Sequence, residues 1–453
     1  MSVLKRAPRT KLMSGIALLS ATALVLSACG GGSDNSKESK SGGESAKFPV
    51  DCSTQQPSKY EQEFDEVKSD SPGKDKLTFN VGTALPQTGN LAFLGPPEIA
   101  ATEFAAQEIN KADKGIKIDL TQGDSGDTDN KAYETEVPRI LKGGANAVVG
   151  AASSGVSLQF IDQVIAADAI QISPANTSPE FSGYEDNGLY WRTAPSDTLQ
   201  GEVLGNQIAA DGNETLGMII LNDSYGTGLA CFAKEAYENA GGKVVAASMY
   251  NTGDTNFSAQ VEDVLAADPD AIALVTFEEV TTIIPELNSA KFPSDKMYLV
   301  DGNLSNFGDD LEAGALEGAQ GTTPAADPEL TDQFKKNLQS YWTGKGEKKL
   351  KDWTYAPESY DAMVLMALAS LQAGSTEGPD IAANLQEVSG GSGEGKKCTS
   401  FAECADIIIG GGTADYDGVT GPITFDGAGD PTEATIGIFK YDDKNNYAFS
   451  KIG

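Results

Sequence analysis

From Lys76 onward the chain alternates between two hydrophobic periods. The stretches "KLTFNVGTAL", "IKIDLTQGD", "NAVVGAA" and "AIQISPA" are apolar runs of strand length. Between them, "PPEIAATEFAAQEINKA", "NKAYETEVPRILKG" and "GVSLQFIDQVIAAD" repeat their apolar residues at helical spacing, and "LYWRTAPSD" reads as a strand leaving the unit. Short strands alternating with amphipathic helices predict βαβ units around a parallel sheet. The pattern then restarts, with strands at "TLGMIILND", "KVVAASMY", "AIALVTFEE" and "KMYLVDGN" and helices beginning near Gly228, Phe257 and Thr281. Two such sets predict an α/β fold of two doubly wound parallel-sheet lobes, with ligand-competent loops at the strand C-termini. Residues 328–390 are mostly helical, and their apolar faces need one of the sheets to pack on. Near the C-terminus, "GPITFDGAGDPTEATIGIFKYDD" predicts a hairpin around a Gly/Asp/Pro turn.

A length of 453 residues agrees with two domains rather than one core. Residues 1–28 read as an export signal: Lys5, Arg6, Arg9 and Lys11 precede an apolar run from Leu12 to Leu26 that is too short for a convincing spanning helix. Leu26-Ser27-Ala28-Cys29 resembles a bacterial lipobox, which implies cleavage before Cys29 and lipidation of its thiol. Residues 29–75 read as a flexible tether, with the part from Cys52 to Val67 ordered if its cysteine is bridged. Cys52, Cys231, Cys398 and Cys404 then favour two disulfides in an exported chain, with three connectivities possible. Cys398 and Cys404 are spaced to close a small loop, which leaves Cys52 for Cys231. A zinc site is disfavoured because no CxxC pair is present.

Charge and composition narrow the chemistry. With 66 acidic against 33 basic residues the formal charge is −33, which repels nucleic acid and anionic lipid headgroups. Histidine is absent, so no Ser-His or Cys-His nucleophile pair and no imidazole base exists. "GGSGEGKK" at 390–397 nearly matches a phosphate-binding loop, but Lys397 stands where a hydroxyl is needed and a predicted helix precedes it. "AASSG" at 151–155 lacks the first glycine of a nucleophile elbow. "DSGDTD" at 124–129 lacks the length and terminal Glu of an EF-hand loop. No catalytic residue, metal or cofactor is expected.

Four strand-to-helix junctions carry polar residues of complementary kinds. At "VVGAASSGVS", Ser153, Ser154 and Gly155 sit at a helix start, where free N–H groups and the helix dipole favour an anion. At "SPANTSPE", Ser173, Thr177 and the main chain of Ala175 and Asn176 follow another strand. Either alone is more simply a helix cap. In the second set, "LNDSYGTGLA" places Tyr225 and "LVDGN" places Asp301 at strand ends. Two hydroxyl-rich anion sites facing a tyrosine and an acid make a trap for a zwitterion.

The stretches "GTALPQTGNLAFLGPPEIAATEFAAQEIN", "VVGAASSGVSLQF", "ISPANTSPEF", "DSYGTGLA" and "DGN" resemble, in order over residues 76–450, the leucine/isoleucine/valine-binding proteins of ABC importers. The resemblance implies two lobes joined by three crossovers, placed near Thr193, Thr322 and residue 415. Residues 76–194 and 322–415 would form lobe 1, and residues 195–321 and 416–453 lobe 2. It also implies that Ser154 and Thr177, helped by main chain at Ala175 and Asn176, bind a ligand carboxylate, with Ser153 beside them. Tyr225 would pack on the ligand and Asp301 would take its ammonium. Departures fall in the side-chain pocket. The family's aromatic in lobe 2 aligns with Phe277 or Glu278, and in lobe 1 this chain has Phe93-Leu94-Gly95 where relatives place an aromatic before a glycine.

The expected function is capture of a small amino acid, branched-chain ahead of polar or cationic, and its delivery to an ABC permease. The protein is expected to act as a monomer, exported and held on the outer face of a bacterial cell membrane through Cys29. A ligand sensor partnered with a signalling receptor is the second reading. A serine hydrolase working without histidine is the third.

Overall fold

Five strands form the first sheet of the computed structural model, which describes residues 48–62, 64, 67–325, 328–391, 393 and 395–453, with backbone alone for 328–330. The export signal and Cys29 lie outside the described residues, as do Ser392 and Glu394 of the glycine-rich stretch. The first lobe begins as β1 (Leu77–Ala84), α1 (Gly95–Ala112), β2 (Ile116–Thr121), α2 (Tyr133–Lys142), β3 (Ala147–Gly150), α3 (Ser154–Ile165), β4 (Ile170–Ser173) and β5 (Tyr190–Arg192). The sheet runs β2-β1-β3-β4-β5, parallel throughout. Every residue of β3, β4 and β5 is buried, as expected of parallel strands covered on both faces.

The chain then crosses to the second lobe: α4 (Asp197–Ala210), β6 (Thr215–Leu221), α5 (Ser224–Asn239), β7 (Lys243–Tyr250), α6 (Ser258–Leu265), β8 (Ala271–Val275), α7 (Val280–Ser289), β9 (Met297–Leu299) and β10 (Gln320–Pro324). It returns as α8 (Pro328–Gly344), α9 (Ala356–Ala373), α10 (Gly378–Val388), β11 (Lys396–Cys398), α11 (Phe401–Ile409), β12 (Ala414–Gly418) and β13 (Gly421–Pro422). Two last strands, β14 (Ile436–Tyr441) and β15 (Tyr447–Ile452), join the second sheet. Its order is β15-β14-β10-β9-β8-β6-β7, antiparallel only where β14 meets β10 and β15.

The late helices find their sheet in the first lobe. All 18 residues of α9 are buried, between α1 and α10, in one core with Phe79, Val81, Ile170 and Ile172. A helix apolar on every side can only be central. Its Asp361 accepts hydrogen bonds from Tyr416 Oη (2.7 Å), from the amides of Val419 and Thr420 (3.0 and 2.8 Å) and from Thr420 Oγ1 (2.7 Å), which pins the turn between β12 and β13.

The C-terminal hairpin is not where the sequence pattern put it. The two paired strands are β14 and β15, and their turn is Asp442–Asn446, held by Asp442 Oδ1 accepting from the amides of Lys444 and Asn446 at 2.9 Å each. The Gly/Asp segment before it forms the expected turn but closes it with a single antiparallel bridge, Phe425 to Pro431, instead of two paired strands, and its Asp430 accepts from Arg192 Nε at 2.6 Å. A buried guanidinium needs a carboxylate, and this turn supplies it.

Both expected disulfides form, Cys52–Cys231 and Cys398–Cys404. From Phe48 onward the segment read as a tether lies against the body. Phe48 packs on the second lobe beneath Lys234, and Cys52 is bonded to Cys231 of α5. Downstream the arm binds the first lobe: Tyr60 N donates to Ser182 O (2.9 Å), Ser69 N to Gln372 O (2.9 Å), and Asn384 Nδ2 to Val67 O (2.8 Å). At the seam a Cβ on Gly228 of α5 would lie 2.6 Å from Pro179, so glycine permits this close approach of the lobes.

Candidate functional site

Each sheet reverses its strand order once, between β1 and β3 in the first lobe and between β6 and β8 in the second. Loops at such reversals splay apart and leave a crevice at the strand C-termini. The two crevices face each other. They place Leu91, Leu94, Ala152, Ser154 and Ala175 of the first lobe, and Tyr225, Phe277, Asp301 and Gly302 of the second, around one cavity completed by Tyr355. The enclosed space is about 10 Å³, room for a single water molecule, so a larger guest is admitted only when the lobes part.

On the first lobe the serines divide the work. Ser153 caps α3, its Oγ accepting from Val156 N at 3.3 Å. Ser154 turns into the cavity, where its Oγ accepts from the amides of Thr177 (3.3 Å) and Ser178 (3.2 Å). The amides of Ala175 and Asn176, expected to point at a ligand, both donate to Ser173 Oγ (3.2 and 2.9 Å). Asn176 also donates to the carbonyls of Ala151 and Ala152 and accepts from Tyr190 Oη, so it clamps the loop from within. Arg192, fully buried, braces the same loop by donating to the carbonyls of Ser178 (2.8 Å) and Asn176 (3.3 Å). Thr177 Oγ1 is buried and makes no hydrogen bond of normal geometry.

On the second lobe Asp301 is 3 % exposed and is the centre of the polar network. Its Oδ1 accepts from Tyr225 Oη (2.7 Å) and Gln200 Nε2 (2.8 Å), and its Oδ2 accepts from Tyr355 Oη (2.6 Å). Burial lifts its pKa above the usual carboxylate range, against those hydrogen bonds. Asp197, in the first turn of α4, is fully buried and neither oxygen makes a normal hydrogen bond. Burial and then the charge of Asp301 push its pKa well up, with the neighbouring Thr177 hydroxyl opposing. The Thr177 hydroxyl and the Asp197 carboxyl, neighbours of each other, and Gln200 Oε1 are thus buried polar atoms that make no hydrogen bond of normal geometry. Native proteins leave few such groups unless a ligand or water answers them. Two buried carboxyls beside a hydroxyl suit an ammonium at one end and a hydrogen-bond acceptor at the other.

The register left open between Phe277 and Glu278 resolves toward an apolar wall. Phe277 is buried and stacks on Tyr225, ring centroids 5.1 Å apart, while Glu278 is exposed. Gly302 makes the stack possible, since a Cβ there would lie 2.7 Å from the Phe277 ring. Phe93 does not line the cavity. The chain forms a turn from Asn90 to Leu94, so Leu91 and Leu94, three residues apart, share the inward face and Phe93 packs beside it.

Sequence reasoning missed Tyr355, Asp197, Gln200, Leu91 and Leu94. Asp197 and Gln200 sit where a strand-to-helix rule would have found them, in "PSDTLQG" at the start of α4. No local signal marks Tyr355, which reaches Asp301 from the loop before α9 with its backbone at φ 61°. Among the described residues, no three Cys, Asp or Glu side chains converge in a metal-ligating group, and no helix is long and apolar enough to cross a membrane.

The buried acids set a pH dependence. Burial raises Asp223, the cap of α5 beside the cleft, to about 7, Asp186 to about 6 and Glu358 to about 8. Each folded value exceeds the unfolded one near ~4, so from about pH 4 to 8 the folded protein holds more protons than the unfolded chain. Stability therefore falls as pH rises through that window. Calorimetry should find a higher unfolding temperature at pH 5 than at pH 8; the reverse order would refute these assignments.

Residues 78–402 match the family described as periplasmic binding protein. The chain is 24% identical to a chemotactic signal transduction system substrate-binding protein of Halobacterium salinarum, over 78% of this chain and 84% of that one. It is 27% identical to a Leu/Ile/Val-binding protein homolog of Brucella suis, over 68% and 82%. In structure it resembles the branched-chain amino acid transporter substrate binding protein of Streptococcus pneumoniae in complex with isoleucine, with a TM-score of 0.66 and 20% identity over 83% and 99% of the two chains. That likeness carries the fold, two α/β lobes closing on a cleft. Family and fold are those of substrate-binding proteins rather than enzymes. Matched over most of its length and built with the site at both strand reversals, this chain belongs to the periplasmic binding protein family.

Proposed function

We propose that the protein is an extracytoplasmic lipoprotein that captures a small amino acid, branched-chain in preference, and delivers it to an ABC importer. The observation that carries this reading is the shared cavity: Ser154 on one lobe and Asp301 on the other, with Leu91, Leu94 and Phe277 as an apolar wall between them. In it the ligand carboxylate meets the Ser154 and Thr177 hydroxyls and the start of α3, and the ammonium meets Asp301 and Asp197. Contacts to both lobes exist only when they close, so the ligand shifts the population toward the closed form. Cys29 would carry the lipid that keeps the receptor beside its permease.

Thermal unfolding against a panel of amino acids and amides tests the reading. A ligand at about 100 times its Kd adds about 2.7 kcal/mol. Leucine, isoleucine or valine should raise the unfolding temperature more than lysine or glutamate; a flat response across the whole panel would be decisive against amino-acid capture. The relative in a chemotactic system supports a second reading, in which the closed form is read by a signalling receptor. Uptake of labelled leucine by cells lacking this chain separates the two, because only the importer role abolishes uptake.

A further inference from the structure

A second cavity, of about 270 Å³, shares Tyr355 with the cleft cavity and none of its other lining residues. Its walls come from both lobes. Lys335 of α8, Trp353 and Tyr355 of the following loop and Glu358 of α9 form one side, and Phe439 of β14 and Tyr447 of β15 the other. It sits where the chain leaves β10 and where β14 rejoins that strand, beside two of the connections between the lobes. The cleft reading leaves it unexplained.

Its chemistry is an aromatic box with two cations, Lys335 and Lys351, of which Lys351 pairs with Asp310 at 3.8 Å. Trp353, Phe439 and Tyr447 give an apolar lining, and Phe449 at its edge is one of the few large exposed hydrophobics, at 38 %. Among the described residues Lys335 forms no ion pair; burial lowers its pKa, and the nearby carboxyls of Asp332 and Glu358 act against that. Glu358 is 4 % exposed, and with its pKa raised by burial to about 8 it is chiefly the neutral acid at pH 7, a donor rather than a counter-ion. An ammonium that forms no ion pair among the described residues, beside a carboxylic O–H, calls for an anion with two acceptor oxygens. The aromatic walls call for an apolar body behind it.

We propose that this cavity is a second ligand site, for a small apolar monocarboxylate, and that its occupancy is transmitted to the cleft through Tyr355. The carboxylate would sit between Lys335 Nζ and the Glu358 acid, the apolar body against Trp353 and Phe439. Tyr355 is the connection because it lines both cavities. Its hydroxyl donates to Asp301 Oδ2 at 2.6 Å, and its backbone is held at φ 61°, in the left-handed region that costs a non-glycine residue energy. A guest that presses on the Tyr355 ring therefore moves a ligand of Asp301. A guest touching both α8 and the β14–β15 hairpin also binds one hinge angle better than another, the only way a ligand shifts such an equilibrium. The coupling rests on the cleft reading; the second site does not.

The test uses cyclohexanecarboxylate as probe, cyclohexylamine as control, and Trp353 fluorescence with calorimetry as readouts. The probe is expected to bind with a Kd below about 1 mM and the amine not at all. Lys335→Met should weaken the probe at least 10-fold and leave the Kd for leucine unchanged; Lys335→Gln serves if the first variant misfolds. Asp301→Asn should leave probe binding intact. Loss of probe binding in Asp301→Asn but not in the Lys335 variants would place the probe in the cleft and overturn the proposal, as would no binding to the wild type. For the coupling, saturating probe should change the leucine Kd at least 3-fold, and Tyr355→Phe should abolish that change while keeping probe affinity. An unchanged leucine Kd overturns the coupling. Failure of leucine to bind at all, with the probe bound, refutes the cleft reading and leaves the second site standing.

Discussion

Asp301→Asn should weaken leucine binding by about 30-fold or more, the 2–5 kcal/mol typical of removing one partner of a buried charged hydrogen-bonded pair. The substitution keeps the volume and removes the charge, so the ammonium loses its main counter-ion. It also upsets the network, because Tyr225, Tyr355 and Gln200 all donate to the Asp301 oxygens and an amide nitrogen accepts none of them. One tyrosine hydroxyl must then turn away. Titration calorimetry on a variant shown to be folded by circular dichroism provides the number. Isovalerate, which lacks the ammonium, is the internal control and should lose far less. Equal affinity for leucine in variant and wild type would remove Asp301 from the site and with it the zwitterion reading.

Replacing Cys52 and Cys231 together by serine should lower stability by about 2–5 kcal/mol, the upper part of the range for a disulfide. The bond joins positions 179 residues apart, against 6 for Cys398–Cys404, and the entropy removed from the unfolded chain grows with that length. Calorimetry should therefore show a much larger fall for this pair than for the Cys398/Cys404 pair. The arm also grips the first lobe at Ser182, Gln372 and Asn384 while its disulfide holds α5 of the second. The ligand-free protein without the bond should open wider, read as a larger radius of gyration by X-ray scattering. Unchanged stability and unchanged radius would mean that the arm restrains nothing.

Much of the cleft was legible in the strand ends. Ser154, Ala175, Tyr225 and Asp301 are short-range readings, each within four residues of the end of an apolar run, and all four line the cavity, as does Phe277, which the resemblance left open against Glu278. The rule works because strand C-termini in a doubly wound sheet all emerge on one side. It fails where an atom is already spoken for by a neighbour distant in sequence. The amides of Ala175 and Asn176 were read as ligand donors, but Ser173 Oγ accepts both. Phe93 was read as the pocket aromatic, but the tight turn at Asn90–Leu94 gives the inward face to Leu91 and Leu94.

Periodicity alone determined the two α/β sets and the strands that compose them, because alternation of strand and helix is a local property of apolar spacing. The cysteine spacing allowed the small loop at Cys398–Cys404 and left Cys52 for Cys231 by elimination. The tertiary structure decided what local spacing cannot encode. It brought Tyr355 against Asp301 from 54 positions away, turned Arg192 inward onto Asp430 across 238 positions, and moved the last hairpin to Asp442–Asn446. The first two are buried polar groups meeting their partners. Such a group costs too much to leave unpaired, so the fold supplies a partner from wherever in the chain the geometry allows.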